Sequence, residues 1–134
     1  MAKDIEVTFP KGKRVNAQIG DTLIETDQAV KSGGDGSAPE PFQLFLASIA
    51  TCVGIYALGF CQVRGIETDG MSIKMSGEFD INKRQYVEFT FDLILPENFP
   101  ATHHEAIMRA MDSCPVKRHM VNTPAFNYKL TEKK

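Results

Sequence analysis

Three features of the sequence predict an α+β fold, with helices laid against mostly antiparallel strands. Several segments alternate polar and apolar residues with the period of a strand covered on one face. Pro41 to Val63, PFQLFLASIATCVGIYALGFCQV, carries no charge at all, which marks a helix apolar on every side. Ala106, Ile107, Ala110 and Met111 recur at the spacing of one helical face. A chain of 134 residues fits one domain, 1–134, with length enough for a real core.

The elements follow in order. DIEVTF alternates and PKGK turns the chain; RVNAQIG and TLIETD continue the alternation, giving a small antiparallel sheet. KSGGDGSAPEP, 31–41, is a loop dominated by glycine and proline. The central helix is expected from about Phe42 to Arg64, leaving through RGIETDG. Two long strands follow, about 71–81 and 84–95, joined at DINKR. Phe79 and Ile81 mark a face of the first; Val87, Phe89, Phe91, Leu93 and Leu95 mark a face of the second. A helix begins near Ala101, Pro115 restarts a short one to about Val121, and PAFNYKLT is expected as a last strand.

Composition narrows the function. A net charge of −2 gives no electrostatic footprint for nucleic acid or anionic membrane. The charge-free run is long enough to span a bilayer. Gln43, Ser48, Thr51 and Gln62 lower its hydropathy, and the strands need something to pack on. It reads as the central helix of a soluble core, and no membrane partner is expected. MAKDIEVTF has no apolar leader pattern, and three cysteines are an odd count; both point to the reducing cytoplasm. His103 and His104 are adjacent and His119 stands alone, so no metal is expected. GGDG does not follow a strand as a phosphate loop does, and no cofactor is expected.

The cysteines carry what chemistry there is. In SCPVKRHM, Cys114 precedes a proline suited to the first helical position, with Lys117, Arg118 and His119 close behind. That setting favours a thiolate; it equally suits a small buried residue at a helix junction. Cys52 lies mid-helix beside Ala47, Ser48, Ala50, Thr51 and Gly54, small residues that admit either a packed helix or a small substrate. Cys61, nine residues on, faces the opposite side of the helix, so it cannot bond to Cys52 within it. Cys114 remains as an intrachain partner open to either.

APEPFQLFLASIATC followed by CPVKRH resembles the osmotically induced protein / organic hydroperoxide resistance (OsmC/Ohr) family. Pro41, Leu44 and Cys52 match the family's pattern into its central helix, and Cys114-Pro115 matches its second cysteine. The order of elements agrees from about residue 4 to residue 130. The resemblance implies an OsmC-like fold in which antiparallel sheets wrap two central helices of an intertwined homodimer. It implies a thiol-dependent peroxidase active in oxidative stress defence. Cys52 would attack an organic hydroperoxide and become a sulfenic acid. Cys114 would resolve it as a disulfide, which a dithiol or lipoylated protein reopens.

Around this pair, Phe42, Phe45, Ile49 and Tyr56 are the expected substrate pocket. Phe42 stands where the hydroperoxide branch carries a glutamate that orients an activating arginine. Glu40 and Arg14, the one arginine before the helix, are the residues available for those roles. The alternative is a non-catalytic dimeric protein of the same fold that binds an apolar ligand or senses redox state.

Overall fold

Three short strands open the chain in the computed structural model, which describes residues 4–133. β1 (Ile5–Thr8), β2 (Val15–Ile19) and β3 (Thr22–Thr26) form one antiparallel sheet in the order β1-β2-β3. Gly12 and Gly20 take positive φ at the two turns, a conformation glycine adopts without steric cost. These strands and the chain that follows them form one compact unit up to Ala47; a second unit runs from Ser48.

The first unit is organised around a carboxylate. Asp27, at the end of β3, is fully buried. Its oxygens accept hydrogen bonds from the backbone N–H of Gln28 (2.7 Å), Asp35 (3.2 Å) and Ser37 (3.0 Å) and from Ser37 Oγ (2.7 Å). The loop therefore curls round a charge rather than an apolar core. Close approach is part of the design: a Cβ on Gly34 would lie 2.1 Å from the Gln28 carbonyl oxygen. The hydrogen bonds from Ser37 and Gln28 hold the Asp27 carboxyl at about 2, against the opposing pull of burial.

α1 runs Pro41–Val63. Pro41 sits where a missing N–H costs nothing. Gln43 reaches back to accept the Glu40 N–H (3.0 Å), while the Glu40 carbonyl accepts from Leu44 (3.2 Å). At the other end Ile66 N–H bonds the Cys61 carbonyl and Gly65 N–H the Gln62 carbonyl, with Gly65 at φ 65°. This glycine-terminated pattern satisfies the last carbonyls. Arg64 adds a bond to the Phe60 carbonyl and lies 3.6 Å above the Phe60 ring. Ile49, Val53, Ala57, Phe60 and Cys61 are its buried residues, a single stripe, whereas Ile55 and Val63 stay exposed. By length and composition α1 is apolar enough to cross a membrane.

In the second unit β4 (Ser72–Asp80) and β5 (Gln85–Ile94) form an antiparallel hairpin. Ile73, Met75, Gly77 and Phe79 share a face with their partners Leu93, Phe91, Phe89 and Tyr86. The sequence placed Val87 on that face. A β-bulge opposite Glu78/Phe79 makes Val87 the extra residue and brings Tyr86 inward instead. Tyr86 stacks on Phe89 and meets Phe79 edge-on. Its ring fills the space over Gly77, where a Cβ would come within 2.7 Å.

A 3-10 turn at Ala101–His103 leads into α2 (His104–Met111), followed by α3 (Pro115–Val121). Ile107, 1% exposed, and Met111 join Val53, Ala57, Phe60, Cys61 and Cys114 in the core, and Phe91 and Leu93 pack against it. Full burial of a residue such as Ile107 stabilises by about 1.5–3 kcal/mol.

One expected element is corrected. PAFNYKLT makes no strand among the described residues. Phe126, Tyr128 and Leu130 are 76%, 90% and 99% exposed. The alternation is that of a strand, but the segment pairs with no strand edge among the described residues.

Because the folded Asp27 carboxyl lies below its unfolded value, its contribution to stability is complete above about pH 4. It fades as pH falls toward 2. Asp27→Asn should lower Tm at pH 7. The gap from the unmodified protein should narrow between pH 4 and 2 in a thermal melt series.

Candidate active site

Two of the three cysteines meet. Cys52 is half-buried on α1; Cys114 is 2% exposed and all three cysteines are free thiols. Cys114 occupies the position just before α3, with non-helical backbone (φ −59°, ψ 119°) and Pro115 as first helical residue. Its carbonyl accepts the first helical bond, from Arg118 (3.3 Å). Its side chain does not cap the helix. Instead the Val116 N–H reaches the Cys52 sulfur, and the Cys52 thiol donates to Cys114. The sequence suggested that the start of α3 serves Cys114; the backbone donor goes to Cys52.

The electrostatics of Cys52 are divided. Burial pushes its thiol up, as does the hydrogen bond it gives to Cys114, while the Val116 N–H pulls the other way. Burial outweighs the donor, so the resting group is a thiol. Cys61 is fully buried, with its sulfur 4.0 Å from Met71 Sδ. Burial raises its thiol too, and Arg64 partly offsets this. Of the polar residues after Cys114, Lys117 pairs with Asp112, and His119 Nδ1 lies 2.7 Å from the Pro115 carbonyl oxygen.

A cleft of about 620 Å³ opens beside Cys114. Ile49 and Val53 of α1, Phe89 and Phe91 of β5 and Met111 of α2 give it apolar walls. Met108 and Met120, exposed on α2 and α3, extend them; methionine's unbranched side chain adapts to ligands of varied outline. Of the residues expected to form a substrate pocket, Ile49 lines this cleft and half-buried Tyr56 does not. Phe42 and Phe45 belong to the unit ending at Ala47, their ring centroids 5.4 Å apart.

Arg14 and Glu40 also lie in that first unit and make no ion pair with each other among the described residues. Arg14 Nη2 bonds Asp35 (3.2 Å), and its buried Nε lies 3.9 Å from Asp27 Oδ2. Glu40 meets α1 through its backbone. Asp27 and Asp35 were not singled out in the sequence, where an aspartate after a strand and another among glycines read as turn residues. The Val116 donor is a backbone group, invisible to residue type. The methionine wall had a partial signal in the Ile107–Met111 stripe.

Residues 34–129 match the family model described as OsmC-like protein. The chain belongs to the OsmC-like protein family. That match covers both cysteines, Glu40 and the cleft, and begins after Arg14. Solved structures agree in fold. An OsmC-like protein from Mycoplasma pneumoniae superposes with a TM-score of 0.71 at 14% identity, over 92% of this chain and 89% of that one. An organic hydroperoxide resistance protein OsmC from Legionella pneumophila gives 0.56 at 18% identity, over 90% and 89%. The organic hydroperoxide resistance protein OhrB of Bacillus subtilis gives 0.51 at 20% identity, over 89% and 92%. At these identities the likeness is one of OsmC-like fold. No curated protein sequence matches the chain.

Alkylation at pH 7 should rank the thiols by exposure and by charge. Cys61 should be the slowest, and Cys52 should react more slowly than a free-cysteine peptide, because burial keeps it protonated. Its rate should climb on raising the pH above 9. Residue-resolved mass spectrometry after timed iodoacetamide exposure checks both.

Proposed function

We propose that the chain is a thiol-dependent peroxidase that reduces organic hydroperoxides through Cys52 and Cys114. The observation that carries this reading is the contact between two free thiols beside an apolar cleft. Cys52, once deprotonated, attacks the terminal oxygen of the hydroperoxide. The O–O bond breaks, the sulfur is oxidised to sulfenic acid, and the alkoxide takes a proton to leave as alcohol. Cys114 then attacks the sulfenic sulfur, expelling water and forming the disulfide. A dithiol or lipoylated protein returns both thiols by exchange, becoming a disulfide itself. The Val116 N–H supports the Cys52 anion in the first step. No metal or cofactor takes part in this scheme.

A cytoplasmic role in oxidative stress defence fits a protein that needs a thiol reductant. An intertwined homodimer is the form we propose. α1 buries one stripe and exposes Ile55 and Val63, and the apolar alternation at Phe126, Tyr128 and Leu130 has no partner strand in one copy. A second copy, rather than a membrane or nucleic acid, is the partner that both features fit. Sedimentation at micromolar concentration should give a dimer; a clean monomer would defeat this part.

A second reading has an observation of its own. Cys52 is held as a thiol, and Arg14 is engaged by Asp27 and Asp35. An apolar ligand-binding protein with redox-sensing cysteines would carry both features. Peptide mapping after one equivalent of cumene hydroperoxide separates the readings. The peroxidase reading expects a Cys52–Cys114 disulfide, no reaction in Cys52→Ser, and sulfinic acid at Cys52 in Cys114→Ser. Cys61→Ser should keep turnover. Two free thiols in a folded, peroxide-treated protein would leave the binding reading standing.

A further inference from the structure

Methionine is concentrated on the cleft. The chain has six methionines, and three of them, Met108, Met111 and Met120, line the space beside Cys114. Helical spacing places them on flanks that share that space. On α2, Met108, Met111 and then Asp112 follow at i, i+3 and i+4, and all three line the cleft. On α3, Lys117, Met120 and Val121 repeat the same spacing and line it too. Exposure separates the three thioethers. Met111 belongs to the core with Cys114 and is 9% exposed, whereas Met108 is 66% and Met120 40% exposed. A molecule in the cleft therefore meets two open thioethers as well as the thiol pair, and a thioether is itself a nucleophile toward peroxide.

From this we infer that Met108 and Met120 are modification sites, oxidised to methionine sulfoxide by apolar hydroperoxide held in the cleft, and that their oxidation closes the cleft to further apolar ligand. The inference takes from the peroxidase reading only that apolar hydroperoxides enter this cleft; it needs no turnover at Cys52. The methionine sulfur attacks the terminal peroxide oxygen and the O–O bond breaks. The sulfur gives up two electrons and keeps that oxygen as the sulfoxide, while the proton on the oxygen passes to the departing alkoxide, which leaves as alcohol. While a reductant keeps the thiol pair cycling, the thiols consume the peroxide. Once the pair is locked as a disulfide, the thioethers are the nucleophiles left in the cleft. A sulfoxide is polar where the thioether was apolar. In the empty cleft water solvates it; an apolar ligand against Ile49, Val53, Phe89 and Phe91 would strip that water and offer no donor in return. Covering a partly solvated polar group in this way costs about fivefold to tenfold in affinity.

The test treats the folded, reductant-free protein with excess cumene hydroperoxide or hydrogen peroxide, with N-acetylmethionine in the same tube as an unhindered reference. Peptide mass spectrometry reads each methionine. Relative to the reference, Met108 and Met120 should oxidise several-fold faster with cumene hydroperoxide than with hydrogen peroxide, and decanol should protect them. Met111 and the half-buried Met71 and Met75 should lag with either oxidant. A neutral fluorescent apolar probe should then bind about fivefold to tenfold more weakly. Methionine sulfoxide reductases of both epimer types should restore its affinity, which they cannot do for oxidised cysteine. In a Cys52→Ser background, which removes the thiol reaction, the probe affinity should fall after peroxide. Adding Met108→Leu and Met120→Leu to that background should leave the affinity after peroxide where it stood before. Equal relative rates with the two peroxides, no protection by decanol, or undiminished probe binding by the sulfoxide form overturns the inference. A Cys52–Cys114 disulfide without selective oxidation of Met108 and Met120 would sink it and keep the peroxidase reading. Selective oxidation of the two methionines with both thiols still free would do the reverse.

Discussion

The joint between the middle of α1 and the start of α3 is the contact on which the site depends. α1 has no charge to orient it, so its position comes from the one stripe that β4–β5, α2 and the start of α3 cover. Cys114 is both a core residue and half of the thiol pair. Packing and chemistry are therefore not separable here. A change that moves α3 would disturb the hydrophobic core, the Val116 donor and the cleft together. The hydrogen bond from Val116 is modest on its own, about 1 kcal/mol for a typical case, but its direction fixes which sulfur the helix start serves.

Burial and reactivity pull against each other at Cys52. Burial in apolar surroundings is what keeps the thiol protonated. A backbone N–H is a fixed dipole, which helps an anion without adding a full charge to an apolar site. In the first unit the balance is struck the other way. Asp27 is buried as an anion and surrounded by donors from its own loop, so burial raises its carboxyl less than the hydrogen bonds lower it. The comparison shows what decides such cases: the number of donors aimed at the group, not its depth.

Much of the fold was legible in the sequence for identifiable reasons. The bounds of α1 fell within one residue because a charge-free run is flanked by Pro41 on one side and Arg64-Gly65 on the other. The hairpin was legible because its apolar residues alternate over nearly its whole length. Where alternation failed, at Val87 and Tyr86, the cause was an inserted residue that pattern alone does not reveal. The terminal segment PAFNYKLT has the composition of a strand, but a strand is a relation between two segments, and composition describes only one. The meeting of Cys52 with Cys114 is likewise a tertiary fact. It was reached through resemblance, since thiols sixty-two residues apart in sequence carry no local sign of contact. Asp27 was missed because its role depends on Gly34 admitting a close carbonyl, a property of the loop as folded.

The bulge in β5 also limits how this hairpin can vary in length. Losing the extra residue would leave a regular ladder: Tyr86 would stand two places before Phe89, still opposite Phe79 and on the same face, with its ring over Gly77. Losing a residue from the regular run 89–94 would instead send every side chain on one side of the gap to the other face. Gain or loss of residues is cheaper in the turn around Asn82 and Lys83, where the chain is exposed and no ladder register is at stake.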